Sequence, residues 1–294
     1  MRRRPLPLAL AATAALALTA CAPQEEGSDT SASGSSAAGS SASDECAPEN
    51  LETLESDTLT IATDEPAYEP WVVGDAPEKG EGFEAAVAYA VAEQLGYDKD
   101  QVTWTRVPFN AAIQPGPRPF DFDINQFSIT DERKQAVDFS SPYYTVSQAV
   151  ITTAGSAADG AKSLADLKDL KIGAQVATTS LDAVTEVIAP NGDPVVFNTN
   201  DDAKLALQNG QVDAIVTDLP TAFFITAAEL DDGVIVGQLD TGDESGDQFG
   251  LLLEKDSPLT DCVSQAVDAL REDGTLDDLE QQWLSDVADA PVLS

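Results

Sequence analysis

Strand-forming runs alternate with amphipathic helices along most of this 294-residue chain, and the alternation begins again in a second block. The first block has a β-rich run at 58–63, a helix predicted over 83–95 and a strand at 102–107. The second block opens with a capping-box pattern at Ser163 and Asp166 and continues as strand, helix and strand. Strands that alternate with helices form parallel sheets covered on both faces, so the sequence predicts an α/β fold.

A third block of one strand and two helices closes the chain. Two blocks and a returning tail predict two α/β lobes, with the second lobe inserted into the first. We assign residues 46–150 and 246–294 to lobe 1 and residues 151–245 to lobe 2. Ligands of open α/β sheets bind at the carboxyl ends of strands, which places the predicted site in the cleft between the lobes.

The first residues carry the pattern of an export signal. Three arginines at positions 2–4 precede an apolar run at 6–20, which is too short for a permanent transmembrane helix. Cys21 follows Leu-Thr-Ala, as in a bacterial lipobox, where cleavage before the cysteine leaves its thiol to carry a lipid. The alternative is an ordinary signal peptide with an incidental cysteine. We predict a signal peptide over 1–20, lipidation of Cys21 and a membrane anchor through that lipid.

Residues 21–45, behind the predicted lipidation site, are mostly Ser, Gly, Ala and acidic residues. Such a composition cannot bury a core, so we expect a disordered tether here. With Cys21 lipidated, Cys46 and Cys262 remain. In an oxidising compartment this pair predicts a disulfide, and the alternative is two buried free thiols.

Composition excludes several functional classes. The formal net charge of −37 repels polyanions, so we expect no nucleic-acid partner; adaptation to salt or genome-wide composition also explains such a charge. The chain contains no histidine, which excludes Ser-His-Asp and Cys-His catalysis and histidine-ligated metal sites. We predict no cofactor and no metal.

The segment from Asn125 to Arg133 is the most informative candidate site. A predicted strand runs into a polar turn in which Ser128 and Thr130 offer hydroxyls and Arg133 offers a planar guanidinium. This group matches a carboxylate through two parallel hydrogen bonds, which a lysine cannot do. An isolated arginine is more often a surface salt bridge, here to Asp131 or Glu132. The Ser-x-Thr-x-x-Arg spacing at a strand end favours the carboxylate.

Two stretches, Ser128-Ile-Thr-Asp-Glu-Arg133 and Asp138-Phe-Ser-Ser-Pro-Tyr143, resemble the polar amino acid-binding proteins of bacterial ABC importers. The resemblance extends over about residues 59–284. It implies a type II periplasmic-binding-protein fold, with two Rossmann-like lobes, a two-crossing hinge and the ligand in the inter-lobe cleft. It also implies that Arg133 grips the ligand α-carboxylate, with Thr130 and the Ser128 backbone beside it.

The same resemblance implies roles for residues in both lobes. Thr178 or Thr179 would bind the α-carboxylate at a helix N-terminus, and Asp218 would accept the α-ammonium. Tyr68 would stack on the ligand with Phe109 opposite, although plain core packing is the alternative for both rings. Asp64 would reach the ammonium or the side chain of the ligand.

The chain departs from the family pattern at three places. Ala177 stands where the family usually has glycine. The helix start Gly82-Phe-Glu-Ala-Ala86 has no acid at its last position, where the family has aspartate. Asn125 and Gln126 replace a small pair, and the larger Gln126 would narrow the pocket or add an amide contact.

The sequence therefore predicts an extracellular lipoprotein at the outer face of the cell membrane. It would capture a polar amino acid, neutral or cationic, with glutamine or a similar residue first, and deliver it to an ABC importer permease. We expect a monomer without enzymatic activity. The alternatives are a dehydratase-like enzyme on the same fold and a sensory surface lipoprotein.

Overall fold

The computed structural model describes residues 44–240, 246–285 and 290–294, and these form two mixed β-sheets with helices on their faces. The strands are β1 (Leu59–Thr63), β2 (Val102–Arg106), β3 (Phe122–Asp123), β4 (Val137–Val146), β5 (Gln148–Thr153), β6 (Ile172–Gln175), β7 (Val195–Phe197), β8 (Ala214–Asp218), β9 (Gly233–Leu239), β10 (Asp247–Glu254) and β11 (Val292–Leu293). The helices are α1 (Phe83–Gln94), α2 (Phe109–Ala112), α3 (Leu164–Leu167), α4 (Thr179–Asp182), α5 (Asn200–Gln208), α6 (Leu219–Phe224), α7 (Thr260–Glu272) and α8 (Thr275–Trp283). Turns of π-helix at Ala183–Ile188 and Ile225–Glu229 extend α4 and α6.

The first sheet, with strand order β2-β1-β3-β10-β4, forms the base of lobe 1. Strands β1, β2 and β3 run parallel, whereas β10 is antiparallel to β3 and β4. Helices α1, α7 and α8 cover one face, and their apolar side chains bury Trp71, Phe83 and Phe249 completely. Helix α1 begins after Gly82, whose φ is +103° and where a Cβ would stand 2.5 Å from the Trp71 carbonyl oxygen. Only glycine fits this close approach.

The second sheet, with strand order β11-β9-β5-β8-β6-β7, forms the base of lobe 2. Strands β6, β7 and β8 are parallel, and β5 is antiparallel to β8 and β9. Apolar clusters lie on both faces of this sheet. Because both faces are buried, the sequences of β5 and β8 are nearly continuous apolar runs. The predicted two-lobed α/β architecture is confirmed.

The chain passes between the lobes at Ser147, between β4 and β5, and again between the end of β9 and the start of β10. It passes a third time between α8 and β11, in addition to the two crossings that were predicted. The predicted division differs from the structure at two places. Residues 148–150 begin β5 of the second sheet, and Val292–Leu293 pairs with β9 of that sheet, although both were assigned to lobe 1. Leu293 is buried there because Gly237 lets the chain approach closely. A two-residue strand has no periodicity from which this pairing could be predicted.

Local predictions were partly right. The capping box of Ser163 and Asp166 is present at α3. The strand predicted before the polar turn is reduced to β3, and the N–H groups of Asp121 and Ile124 on either side of it donate to carbonyls of β1. Helix α4 is capped by Thr178, whose hydroxyl accepts the N–H of Leu181.

The predicted disulfide is present and joins Cys46 to Cys262, with a Cα–Cα distance of 5.4 Å. It ties the segment before β1 to α7, so the alternative of two free thiols is excluded. The predicted signal peptide, Cys21 and nearly all of the predicted tether lie outside the described residues. Within the described ranges, no helix combines the length and the apolar character needed to cross a bilayer.

The disulfide closes a loop of 216 residues, and such a cross-link stabilises chiefly by restricting the unfolded chain. We expect Cys46→Ala combined with Cys262→Ala to lower the free energy of unfolding by about 2–4 kcal/mol in urea titrations. A reducing agent should bring the parent to the midpoint of the double variant and leave the variant unchanged. Equal midpoints for the parent and the variant without reductant would contradict this expectation.

Candidate functional site

A pocket lies between the lobes and is lined by residues of both. Its volume is about 430 Å³, including the space at its opening to solvent. Nine of the ten residues predicted from the sequence line it, and Thr130 does not. The lining residues are Asp64, Tyr68, Phe109, Asn125, Gln126, Ser128 and Arg133 from lobe 1 and Gln175, Thr178, Thr179, Ser180, Asn200, Thr217 and Asp218 from lobe 2.

The polar turn that carries Arg133 is held against the start of β10. The Ile129 N–H donates to the Gln248 carbonyl and the Gly250 N–H donates to the Phe127 carbonyl. A Cβ on Gly250 would stand 2.8 Å from the Ile129 side chain, so glycine at this position lets the turn pack closely. The turn is therefore positioned by tertiary contacts as well as by its own sequence.

Arg133 points into the cleft and is only 9% exposed. Its guanidinium donates to the Ser128 carbonyl (2.7 Å) in lobe 1 and to the Ala177 carbonyl (2.9 Å) in lobe 2. The Phe109 ring lies 5.4 Å below it. The alternative of a surface salt bridge is wrong, because Asp131 pairs instead with Lys134 at 3.5 Å.

Thr130 has a different place from the one predicted. Its hydroxyl accepts the backbone N–H of Arg133 at 3.1 Å, so it supports the turn from outside the pocket. The spacing Ser-x-Thr-x-x-Arg identified the turn correctly, but it could not separate a residue that supports the turn from one that faces the cleft.

The aromatic residues of the pocket share their packing with the core. Phe109 stacks on Phe127 with ring centroids 4.8 Å apart, so the ring both lines the pocket and packs in a small apolar cluster. Tyr68 also lines the pocket, and burial, with Asp201 of lobe 2 nearby, raises the pKa of its phenol. Trp71, by contrast, is fully buried and donates its indole N–H to Thr221 of lobe 2 at 2.8 Å.

Lobe 2 presents its hydroxyls to the cleft through an unusual turn. Ala177 has a φ of +63°, a conformation usually left to glycine, and its carbonyl faces Arg133. Thr179 begins α4 with its hydroxyl 3.1 Å from that of Ser128 across the cleft. Ala177 thus adopts left-handed backbone at the position where the family pattern has glycine.

Asp218 ends β8 and faces the cleft, as predicted. Gln148, which donates a hydrogen bond to it, was not predicted from the sequence. The Gln148 amide nitrogen donates to Asp218 (2.8 Å) and to Asp247 (2.9 Å), and its oxygen accepts from Ser180 (2.6 Å). Gln148 starts β5 and Asp247 starts β10, so this fully buried amide joins the two crossing strands to the site. A polar residue that opens an otherwise apolar strand was the available signal.

Acidic groups outnumber cations around the pocket. The pKa of Asp218 is raised to about 7, chiefly by burial and also by nearby Asp247, whereas the hydrogen bond from Gln148 lowers it. Burial also raises the pKa of Asp64, whose carboxylate accepts the N–H groups of Glu65 (2.7 Å) and Phe109 (3.3 Å). Arg133 is the one cation among the lining residues. This balance suits a ligand that brings positive charge or hydrogen-bond donors.

Glu84 is a second residue that the sequence analysis missed. It is completely buried in the first turn of α1, and its carboxylate accepts the backbone N–H of Gln126 at 2.7 Å. The Gln126 side-chain amide and the Tyr143 hydroxyl also donate to it. Burial raises the pKa of Glu84 to about 7. The acid at the start of α1 is therefore Glu84, two residues before Ala86, the position where the family pattern has aspartate.

Burial raises the pKa of Asp218 from 3.8 to about 7. Between pH 3.8 and pH 7 the Asp218 carboxyl is therefore protonated in the folded protein and ionised in the unfolded chain. The free energy of unfolding therefore decreases as the pH rises from about 3.8 to about 7, and the whole decrease is present above pH 7. We expect Asp218→Asn to raise the free energy of unfolding by about 2–4 kcal/mol at about pH 8 and by much less at about pH 5. Urea titrations without ligand at both pH values measure the difference, with the exposed Asp232→Asn as control. An equal difference at both pH values would contradict the shift.

Comparisons with known proteins bear on this geometry. Residues 59–286 match the model of bacterial extracellular solute-binding proteins, family 3. The L-arginine-binding protein of Pseudomonas aeruginosa is 28% identical over 242 residues, which are 80% of this chain and 92% of that protein. The L-cystine-binding protein TcyJ of Escherichia coli is 29% identical over 234 residues, 78% of this chain and 83% of TcyJ.

Solved structures agree in fold. An ancestral arginine-binding protein bound to glutamine is 32% identical and superposes with a TM-score of 0.64, covering 77% of this chain and 97% of its own. The ancestral amino acid-binding protein AncCDT-1, described as a precursor of cyclohexadienyl dehydratase, is 29% identical with a TM-score of 0.62, covering 77% of this chain and 95% of its own. The chain therefore has the type II periplasmic-binding-protein fold and belongs to the bacterial extracellular solute-binding proteins of family 3.

Proposed function

We propose that this protein captures a polar amino acid, neutral or cationic, in the inter-lobe cleft. The observation that carries the proposal is the buried guanidinium of Arg133, which lines the cleft together with one hydroxyl from each lobe, those of Ser128 and Thr179. A planar guanidinium and two flanking hydroxyls match an α-carboxylate. Asp218 on the opposite lobe supplies the acid that an α-ammonium needs.

The ligand favours the closed state because it contacts both lobes at once. Its carboxylate bonds to Arg133 and Thr179, and its ammonium bonds to Asp218, so each charge that is buried on closure has a partner. A ligand shifts the equilibrium between open and closed forms only through such differential contacts. The amide of Gln148, which links Asp218 to the crossing strands, couples the occupied site to the hinge.

The charge of the pocket and the named relatives support the ligand class. Two acids, Asp64 and Asp218, and one cation, Arg133, line the pocket. This excess of negative charge disfavours glutamate and aspartate as ligands. Relatives are named for arginine, cystine and glutamine, including the glutamine-binding protein GlnH of Bacillus subtilis, which is 27% identical over 219 residues, 71% of this chain and 76% of GlnH. We put glutamine first, with the cationic amino acids next.

The closed protein would deliver its ligand to the permease of an ABC importer, as a monomer held at the outer face of the membrane by a lipid on Cys21. A sensory role would use the same cleft without a permease, and loss of amino acid uptake on deletion of the gene separates the two. A second candidate is dehydratase-like activity, because AncCDT-1 is described as a precursor of cyclohexadienyl dehydratase. It would require a general acid or base, and Asp218 and Glu84 are the buried acids with a pKa of about 7.

We expect Arg133→Ala to abolish amino acid binding while the thermal unfolding of the ligand-free protein stays close to that of the parent. Arg133→Lys should fail as well, because an ammonium does not reproduce the two parallel bonds to a carboxylate. Isothermal titration with the twenty amino acids, with a mass-spectrometric check for turnover, measures both binding and catalysis. Arg271→Ala, which removes a surface arginine of α7, is the matched control. An affinity near that of the parent in Arg133→Ala would overturn the assignment.

The lipid anchor has its own test. Cys21→Ser removes the thiol that would carry the lipid, so we expect the protein to leave the membrane fraction and appear in the soluble extracellular or periplasmic fraction. Ser28→Ala, in the same segment, should leave the distribution unchanged. Retention of Cys21→Ser in the membrane fraction would contradict lipidation at this residue.

A further inference from the structure

Trp71 is held in lobe 1 by its ring and by its backbone. The side chain is completely buried, and its ring packs against those of Phe83, Tyr144 and Phe249, with centroid distances of 6.1, 5.9 and 5.8 Å. The Trp71 carbonyl accepts the N–H of Glu84, in the first turn of α1, at 3.0 Å. All of these partners belong to lobe 1, so Trp71 moves with that lobe.

The single polar group of the Trp71 side chain bonds to the other lobe. An indole has one N–H donor and no acceptor. This N–H donates to the Thr221 hydroxyl at 2.8 Å, and Thr221 is only 3% exposed. Thr221 lies in α6, which packs against β5 and β8 of the second sheet. The bond therefore joins the two lobes away from solvent.

The bond between Trp71 and Thr221 does not depend on the ligand pocket, because neither residue lines it. Two other contacts across the cleft differ in this respect. The bond from Arg133 to Ala177 and the contact between Ser128 and Thr179 both involve side chains that line the pocket, where a ligand competes for them. The indole bond is compatible with any ligand that lets the lobes close.

We infer that the hydrogen bond from Trp71 to Thr221 stabilises the closed arrangement of the lobes and thereby raises the affinity of the cleft for every ligand that it binds. When the lobes separate, water reaches the indole N–H and the hydroxyl. Removal of the hydroxyl therefore leaves an unpaired buried donor in the closed state alone.

An apparent affinity decreases with the fraction of the protein that is in the binding-competent state. Trp71 and Thr221 are thus positioning residues, which act on the equilibrium between the open and closed forms and not on the ligand side chain. We expect them to change the dissociation constants of all ligands by the same factor. This inference rests on the proposed capture of an amino acid in the cleft.

The test is a pair of substitutions at Thr221. Thr221→Val keeps the shape of the side chain and removes the acceptor, whereas Thr221→Ser keeps the acceptor. Isothermal titration of the full-length protein with the twenty amino acids gives a dissociation constant for each one that binds. We expect Thr221→Val to raise each constant about tenfold at unchanged stoichiometry, the effect of one buried donor left unpaired. Thr221→Ser should remain close to the parent.

Two further variants separate the bond from its surroundings. Thr226→Val is the matched control, because the Thr226 hydroxyl donates to the Ala222 carbonyl (2.8 Å) within lobe 2. It should leave the constants unchanged. Trp71→Phe removes the donor, and in that background Thr221→Val should cause no further loss of affinity, because both changes act through one bond.

The outcomes distinguish this inference from the proposed function. Constants in Thr221→Val equal to those of the parent would overturn the inference and leave the proposed function intact. An equal loss in Thr221→Ser would assign the effect to packing, and a loss confined to one ligand would assign it to the pocket, so either result would also overturn the inference. A parent that binds no amino acid would contradict the proposed function itself. If Trp71→Phe fails to fold by thermal unfolding, the comparison of Thr221→Val with Thr221→Ser and Thr226→Val decides.

Discussion

The burial of the Arg133 guanidinium is the constraint on which the rest of the site depends. A cation removed from water is costly unless it is paired or hydrogen-bonded. Here the guanidinium donates hydrogen bonds to the carbonyls of Ser128 and Ala177, one from each lobe, and lies over the ring of Phe109. These are dipoles and a ring rather than a carboxylate, so the guanidinium keeps its charge available. An anionic group that enters the cleft completes the pairing, and it does so at the point where the two lobes meet.

The site also depends on two buried carboxylates, and burial disfavours their charged form. Asp218 and Glu84 both have a pKa raised to about 7 by burial, and each is held by amide donors instead of cations. Gln148 and Gln126 have the same role at two places, since each places amide N–H groups on a buried acid. The cost in stability that these acids impose near neutral pH is the usual exchange of stability for binding function.

The fold was predictable because hydrophobic period and turn chemistry are local. The alternation of strands and helices, the capping box at Ser163 and the arginine turn all follow from residues close in sequence. The disulfide followed from counting cysteines once Cys21 was set aside. Contacts between distant segments were not predictable. Gln148 meets Asp218 and Asp247 only after two sheets have formed, and Glu84 meets Gln126 across 42 residues of sequence.

The sequence by itself determined the class of fold, the arginine turn and nine of the fourteen residues that line the pocket. These follow from residue type and short spacing, which a single chain displays directly. Only the tertiary structure decided that Thr130 supports the turn from behind, that residues 292–293 join lobe 2, and that Ala177 and Gln126 adopt left-handed backbone without glycine. For Gln126 and for residues 292–293 the deciding contact comes from a distant segment, and its free energy overrides the local preference of the chain. Thr130 bonds to the nearby backbone of Arg133, and only the packing of the turn decides which side of it faces the cleft.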